Sequence, residues 1–470
     1  MARATVGVIF GNRDFFPDRL ISEARRDIEA LFGALGIEAV MLGEHETKLG
    51  SVETFGHAKQ CADLFRANRG RIEGMLVCLP NFGDEKGVAD TLRMADLGVP
   101  VLVQAYPDDL NQLTVERRRD AFCGKISVCN NLRQYGIPFT LTEDHTVHPS
   151  DPRFQRDLLR FIAGCKVRKG LKGLRLGAVG ARPGNFNTVR YSEKLLEAAG
   201  ITVVTVDFSE ILGNANRLSD DHPRVNEKLA AIRSYARHAG VPIEKLVLMA
   251  RLGLALDDWM AAQEIQATAL QCWTSLQQNY GINACTIMSM MSEQLLPSAC
   301  EVDITGVLAM YALQLASGTP SALVDWNNNY AGDPNKCVLF HCGNWAKSFL
   351  PDIEISVAPI LGSTLGVENT YGALAGRTPA GPMSFARIST DDREGRIKAY
   401  VGQGHFTNDP LNTFGNRAVV EVAELPKLMQ YICKNGFEHH VAMTSSHVAA
   451  VLQETFTTYL GWETYYHHAA

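Results

Sequence analysis

The stretch Thr5-Val-Gly-Val-Ile-Phe-Gly11, followed by the amphipathic residues 18–35, then Gly36 and Ile37-Glu-Ala-Val-Met-Leu42, decides how the chain begins. A short, continuous apolar run reads as a strand buried on both faces. Residues 18–35 repeat their apolar positions with helical period, and Gly36 supplies a stop. The cycle then recurs. A helix is expected near 52–68, a strand over 74–79, a helix over 87–97, a strand over 99–104 and a helix near 119–135 leading to 138–141. Strands alternating with helices of this length imply βαβ units and a parallel sheet.

Working outward, Lys166, Arg168, Lys169 and Lys172 mark a boundary, after which a second α/β unit starts with a strand over 174–180, a helix over 189–199 and a strand over 202–206. The turn Gly180-Ala-Arg-Pro-Gly-Asn-Phe-Asn187 resembles a phosphate loop only loosely; it lacks both G-x-G-x-x-G and the Walker lysine, and a plain strand-to-helix turn explains it. Helices are expected over 222–263, 283–294 and 302–315, with strands over 267–273 and 321–326. Beyond about residue 335 strand-like runs separated by Gly, Pro and Asn suggest an antiparallel sheet or barrel, and the tail returns to helix over 425–435 and 448–459. The expected fold is therefore α/β. Two Rossmann-like parallel-sheet domains, 1–168 and 169–335, precede a β-rich, barrel-like domain, 336–470.

Composition excludes several function classes. Lys and Arg total 45 against 51 Asp and Glu, for a net charge of −6 among 470 residues. That is the wrong balance for non-specific nucleic-acid binding. One of the most apolar windows, 246–256, is interrupted by Arg251 and is too short to span a bilayer. No secretory signal is visible at the start, and the 11 cysteines include no C-x-x-C pair, so a cytoplasmic protein with reduced, mostly buried thiols is expected.

The chemistry concentrates between residues 282 and 347 and near the C-terminus. Ser298-Ala-Cys-Glu-Val-Asp303 opens a helix and puts Glu301 in its first turn, where a carboxylate is favoured; a simple helix-start acid fits the same residues. Asp325 closes the strand Ala-Leu-Val-Asp ahead of Trp326 and three asparagines, a place where parallel sheets bind ligands and where an Asx turn is equally at home. His341 ends an apolar strand and reads as a packed residue as readily as a ligand. His439 and His440 are adjacent, so on a regular element they diverge, whereas His447 follows small polar residues at a helix start. Two carboxylates and one histidine suit Mn²⁺ or Mg²⁺ better than zinc.

At these residues the chain resembles the L-fucose/L-arabinose isomerase superfamily. The resemblance rests on Pro297-Ser-Ala-Cys-Glu-Val-Asp-Ile-Thr-Gly306, Ala322-Leu-Val-Asp-Trp-Asn-Asn328, Phe340-His-Cys-Gly343, Gly436-Phe-Glu-His-His-Val-Ala-Met443 with His447, and Phe406-Thr-Asn-Asp-Pro-Leu-Asn-Thr-Phe-Gly415. It implies an aldose–ketose isomerase that uses Mn²⁺, with Mg²⁺ or Co²⁺ as alternatives. It also implies a homo-oligomer, commonly a hexamer, whose pockets a neighbouring subunit completes. Carried over by position, Glu301, Asp325 and His447 match the metal ligands, and Glu301 and Asp325 match the pair that moves a proton by an enediol route. His341 is expected to touch the substrate or a ligand. The implied substrate is a deoxyhexose, a pentose or a sulfonated hexose such as sulfoquinovose. Where relatives often carry Glu-Gly-Glu, this chain has Gly402-Gln-Gly-His405, which suits an anionic sugar. Arg13 and Arg182 are then the expected positive partners, with Trp326, Gln403 and Ser446 as further contacts. A sugar-binding module, or an epimerase or aldolase on the same acid pair, are the alternative readings.

Overall fold

The computed structural model describes residues 4–468, arranged as two compact units. The first runs to Lys169 and includes Glu454–Gly461. Its sheet comprises β1 (Thr5–Gly11), β2 (Glu38–Val40), β3 (Ser51–Val52), β4 (Gly74–Leu79), β5 (Val101–Ala105) and β6 (Thr140–Leu141). The order is β2-β1-β4-β5-β6 with β3 also on β1, every pairing parallel, as the alternating pattern requires. The helix Arg19–Leu35 ends where Gly36 adopts φ 66°, a left-handed conformation that glycine tolerates without a Cβ clash.

The second unit spans Gly170–Gln453 and the segment from Trp462. Its smaller sheet holds β7 (Arg175–Val179), β8 (Thr202–Val206), β9 (Ala267–Leu270) and β10 (Ser298–Ala299), all parallel, in the order β10-β9-β7-β8. The larger sheet contains β11 (Ser321–Tyr330), β12 (Asp333–His341), β13 (Glu354–Ser356), β14 (Ala373–Arg377), β15 (Gly381–Asp391), β16 (Arg396–Thr407), β17 (Asn416–Glu421), β18 (His440–Thr444) and β19 (Glu463–His467). Strands β17-β12-β11-β18-β15-β16 follow one another antiparallel, and β16 pairs back onto β17, so they close into a barrel. Closure removes the exposed edges that an open antiparallel sheet would leave. Strands β14 and β19 flank it in parallel.

Two expectations change. Residues 335 and 336 do not separate domains, because they lie within β12, one arm of the β11–β12 hairpin, and a single apolar core runs from Val179 through Leu270 and Val324 to Met443. Asp325 does not end a parallel strand. It sits mid-strand in an antiparallel pair, just before a register shift between Trp326 and Asn328. Among the described residues no helix is long and apolar enough to cross a membrane.

Candidate active site

Side chains alternate across β11, and Ala322 and Val324 enter the core with Leu339, Val441 and Phe385. Asp325 takes the other face together with its cross-strand partners His440 and Phe340. Against this face stands the start of the helix Ile304–Ser317, capped by Asp303, whose Oδ1 accepts from the Gly306 amide at 2.8 Å. Glu301 therefore precedes the helix rather than occupying its first turn. It and Val302 adopt φ 55° and 56°. Two consecutive non-glycine residues in the left-handed region carry backbone strain that the surrounding fold must hold, a situation that clusters at functional sites.

His440 joins the two carboxylates. Its Nε2 lies 3.8 Å from Glu301 Oε2 and 3.4 Å from Asp325 Oδ1. Its Nδ1 donates to Asp303 Oδ2 at 2.8 Å, and since a carboxylate only accepts, the Nε2 lone pair is the one presented to the acids. Asp303 is anchored in turn by Arg387, at 2.6 Å and 3.0 Å through a two-pronged contact, and Arg387 Nε donates to Glu438 at 3.0 Å. This assembly is buried. Burial alone would push the Asp303 carboxyl up, but Arg387 and His440 hold it well below the usual carboxylate range. Arg387, which burial would depress, is raised by Asp303 and Glu438.

His341 presents the opposite chemistry. The Cys342 amide donates to its Nδ1 at 3.0 Å, so the ring turns its Nε2 N–H toward Glu301 Oε2, 3.7 Å away. Glu301 Oε1 accepts from Trp273 Nε1 at 3.0 Å and from Cys272 at 3.4 Å. Glu301 Oε2, by contrast, is buried with no hydrogen-bond partner. Burial pushes this carboxyl up, yet His341 and His440 keep it below its ordinary range. A buried, anionic, unpartnered oxygen facing an imidazole lone pair and a second carboxylate is a donor set that fits a hard divalent cation. Donor atoms of Glu301, His341 and His440 lie within 4.8 Å of one another, as do those of Asp325, His439 and His440. A cleft of about 360 Å³ opens beside Glu301 between Trp273, Phe340, Cys342, Ile360 and Phe414.

The structure thus brings together Glu301, Asp325 and His341, and adds His440. It does not bring in His447. Strand β18 begins at His440 opposite Asp325 and ends at Thr444 opposite Ser321, four residues or about 13 Å along an extended strand. His447 emerges beyond that far end, its Nε2 3.3 Å from the Gly404 carbonyl and its ring 5.1 Å from His405. The adjacent His439 is not excluded from the acids either. It precedes the strand, so alternation does not turn it away, and its Nε2 lies 3.5 Å from Asp325 Oδ1.

The remaining expected contacts separate. Trp326 takes the face opposite Asp325, donates to the Tyr400 hydroxyl at 3.0 Å and packs edge-on against Phe385. Gln403 is exposed on β16, and Ser446 is half-buried past the end of β18. Arg13 belongs to the first unit, where it pairs with Glu85 and stacks over Phe82. Arg182 donates to the Pro183 carbonyl within the loop 180–187. That loop does reach the site through a residue the sequence reading passed over. Phe186 packs on Trp273, His439 and His440 at ring separations of 6.0, 5.3 and 5.5 Å.

Comparison with known proteins gives two family matches at the two ends of the chain. Residues 7–172 match the N-terminal domain of fucose/sulfoquinovose isomerase, and residues 339–468 match the C-terminal domain of L-fucose isomerase. The sulfoquinovose isomerase of Priestia aryabhattai is 26% identical over 345 residues, 72% of this chain and 74% of that protein. That of Clostridium sp. (strain MSTE9) is 24% identical over 337 residues, 69% of this chain and 71% of its own length.

Proposed function

Because the chain belongs to the fucose/sulfoquinovose isomerase family and is an aldose–ketose isomerase, we propose that its substrate is a sulfonated hexose, sulfoquinovose, and that Glu301, Asp325 and His440 hold Mn²⁺ at the reacting end of the sugar. The observation that carries this reading is the convergence of two carboxylates on one imidazole nitrogen, at 3.8 and 3.4 Å. The relatives named sulfoquinovose isomerase supply the substrate class.

A divalent cation held by Glu301, Asp325 and His440 would supply Lewis-acid polarisation of the sugar carbonyl. The protein does the rest. Moving a proton between C1 and C2 needs a group to remove it and a group to return it. Glu301 Oε2, free of hydrogen bonds, and Asp325 Oδ1 are the oxygens that face the shared His440 Nε2. Trp273 orients Glu301 by binding its other oxygen, and the N–H of His341 is placed to stabilise charge on Glu301 or on a sugar oxygen. Asp303 and Arg387 act one layer back, fixing the tautomer of His440. The exposed apolar side chains Ile360 and Phe414 at the cleft fit a homo-oligomer, a hexamer by family resemblance, in which a neighbouring copy covers them.

A second reading has its own support. The cleft wall of Phe340, Val357, Pro359, Ile360, Leu361 and Phe414 is apolar, as the methyl group of a 6-deoxyhexose would favour. The test is an activity panel with Mn²⁺-loaded protein in D₂O, comparing sulfoquinovose, L-fucose, D-arabinose, L-arabinose and L-rhamnose by NMR. Ketose formation from sulfoquinovose with deuterium at C2 of recovered aldose, abolished by EDTA, is the expected result. Turnover of L-fucose with sulfoquinovose untouched would select the second reading. Glu301→Gln, Asp325→Asn and His440→Ala each remove turnover, whereas His447→Ala retains it; the reverse pattern for the two histidines would undo the site assignment.

A further inference from the structure

The strand register lays a straight row across one face of the large sheet. His440 on β18 pairs with Asp325 on β11, Asp325 with Phe340 on β12, Phe340 with Arg417 on β17, and Arg417 with Arg377 on β14. Paired residues share a face and stand about 5 Å apart, so Arg417 lies roughly 10 Å from Asp325 along the row. Its guanidinium is tied to the cleft wall, since Nη1 donates at 3.0 Å to the carbonyl of Gly415, which lines that cleft with Phe414 and Phe340.

Among the described residues neither guanidinium has a carboxylate within ion-pair distance, although they are register partners. Arg417 donates only to the main-chain oxygens of Gly376 and Gly415, and its Nε is buried with no partner. Arg377 donates to the main-chain oxygens of Thr407 and Asp409, while the Asp409 carboxylate is taken by Lys336 at 2.9 Å. Two like charges are therefore held side by side without an ion pair of their own, the Asp409 carboxylate feeling Arg377 while bonded to Lys336, and burial together with Arg377 pulls Arg417 below its ordinary range. An arrangement of this kind is costly to the protein alone and favourable once an anion binds.

We propose that Arg417 and Arg377 form an anion subsite that holds the sulfonate of the sugar, an inference that rests on the sulfonated-hexose reading above. With C1 and C2 at Asp325, Glu301 and His440, an open-chain hexose extends its sixth carbon away from the acids. The row then places Phe340 under the sugar backbone and the guanidinium forks at its far end. Planar guanidinium groups match the three oxygens of a sulfonate with paired hydrogen bonds. Arg13, bound to Glu85, has its charge met already.

The experiment compares metal-loaded wild type with Arg417→Met and Arg377→Met, using sulfoquinovose and its uncharged 6-deoxy counterpart, and measures both turnover and equilibrium binding. The ratio of kcat/KM for the sulfonated to the uncharged sugar falls by about ten- to a hundred-fold in each variant, and the dissociation constant for sulfoquinovose rises by a similar factor, as expected for losing hydrogen bonds to a charged group. Both quantities unchanged in a folded variant overturn the subsite. Wild type that binds sulfoquinovose without converting it, with binding lost in the variants, upholds the subsite and overturns the proposed activity. Wild type that neither binds nor converts it overturns both. Should Arg417→Met fail to fold, Arg377→Met carries the test, since its described bonds run only to main-chain oxygens.

Discussion

Two places on the barrel hold guanidinium groups, and they hold them differently. Arg387 is fully buried and enclosed by Asp303 and Glu438, with every nitrogen committed to a side-chain oxygen. Arg377 and Arg417 are half-buried, side by side, and bonded only to carbonyl oxygens of the main chain. The first arrangement spends its charge inside the protein and positions His440. The second leaves its charge open to a ligand. Burial of an arginine therefore says little about its role; the inventory of its partners says much more.

The largest expected effect breaks the first arrangement. Arg387→Met leaves Asp303 and Glu438 buried without a counter-charge and costs about 3–5 kcal/mol of stability. A urea-unfolding midpoint unchanged from wild type would show that these acids are satisfied without it. Next comes a buried cation with no carboxylate bonded to it. In the first unit the Lys125 amine bonds to the Thr142 hydroxyl and the His145 carbonyl, and desolvation lowers its pKa from 10.5 to about 8 despite nearby Cys129 and Asp157. The folded state then binds fewer protons than the unfolded chain between about pH 8 and 10.5. Stability from this group rises with pH across that window, by on the order of 3 kcal/mol, and is lost again as the pH falls through 8. Lys125→Met removes the penalty, so its advantage over wild type shrinks as pH rises from 7 to 10.5. A pH-independent difference in unfolding midpoint would mean that Lys125 titrates normally. Smaller again is Asp303→Asn: with its one oxygen kept by the Gly306 amide, the carboxamide turns an NH2 donor toward His440 Nδ1 and no longer fixes the tautomer. Mn²⁺ affinity falls about 10- to 100-fold. Calorimetric titration showing wild-type affinity would assign Asp303 to fold alone.

The sequence made the two regions unequally legible. In the first unit the strands read from sequence are local apolar runs and the helices local periodicities, so expectation and structure agree from Thr5–Gly11 to Thr140–Leu141, while the short strand Ser51–Val52 and the helix Pro152–Leu171 went unread. The site is assembled by register between distant segments. Glu301 and Asp325 stood out as acids in motifs, but only the pairing of β11 with β18 puts Asp325 opposite His440. Reading His439 and His440 as neighbours on one regular element dismissed both; Val441-Ala-Met-Thr444 is the strand signal that would have set His440 at its start and His447 past its end. Phe186 was hidden in a loop judged by its glycines. Arg377 and Arg417 had no local signal at all, because lacking an ion pair is a property of three-dimensional surroundings.

The smallest expected change is also the sharpest statement of the contrast. If Arg417 is held for a ligand rather than for the fold, Arg417→Met should alter the free energy of unfolding in the absence of sugar by no more than about 0.5 kcal/mol, the range of a substitution that breaks no ion pair. Its aliphatic stem is replaced by one of similar length, no carboxylate is orphaned, and repulsion from Arg377 is relieved. The same Arg-to-Met change at Arg387 orphans two buried acids, so the two variants differ in stability by several kcal/mol although both remove one guanidinium from one barrel. Adding saturating sulfoquinovose then stabilises wild type against unfolding more than it stabilises Arg417→Met, because only ligand bound to the native state shifts the transition. Equal destabilisation of the two variants without sugar would place Arg417 among the structural charges and remove the distinction between the two regions.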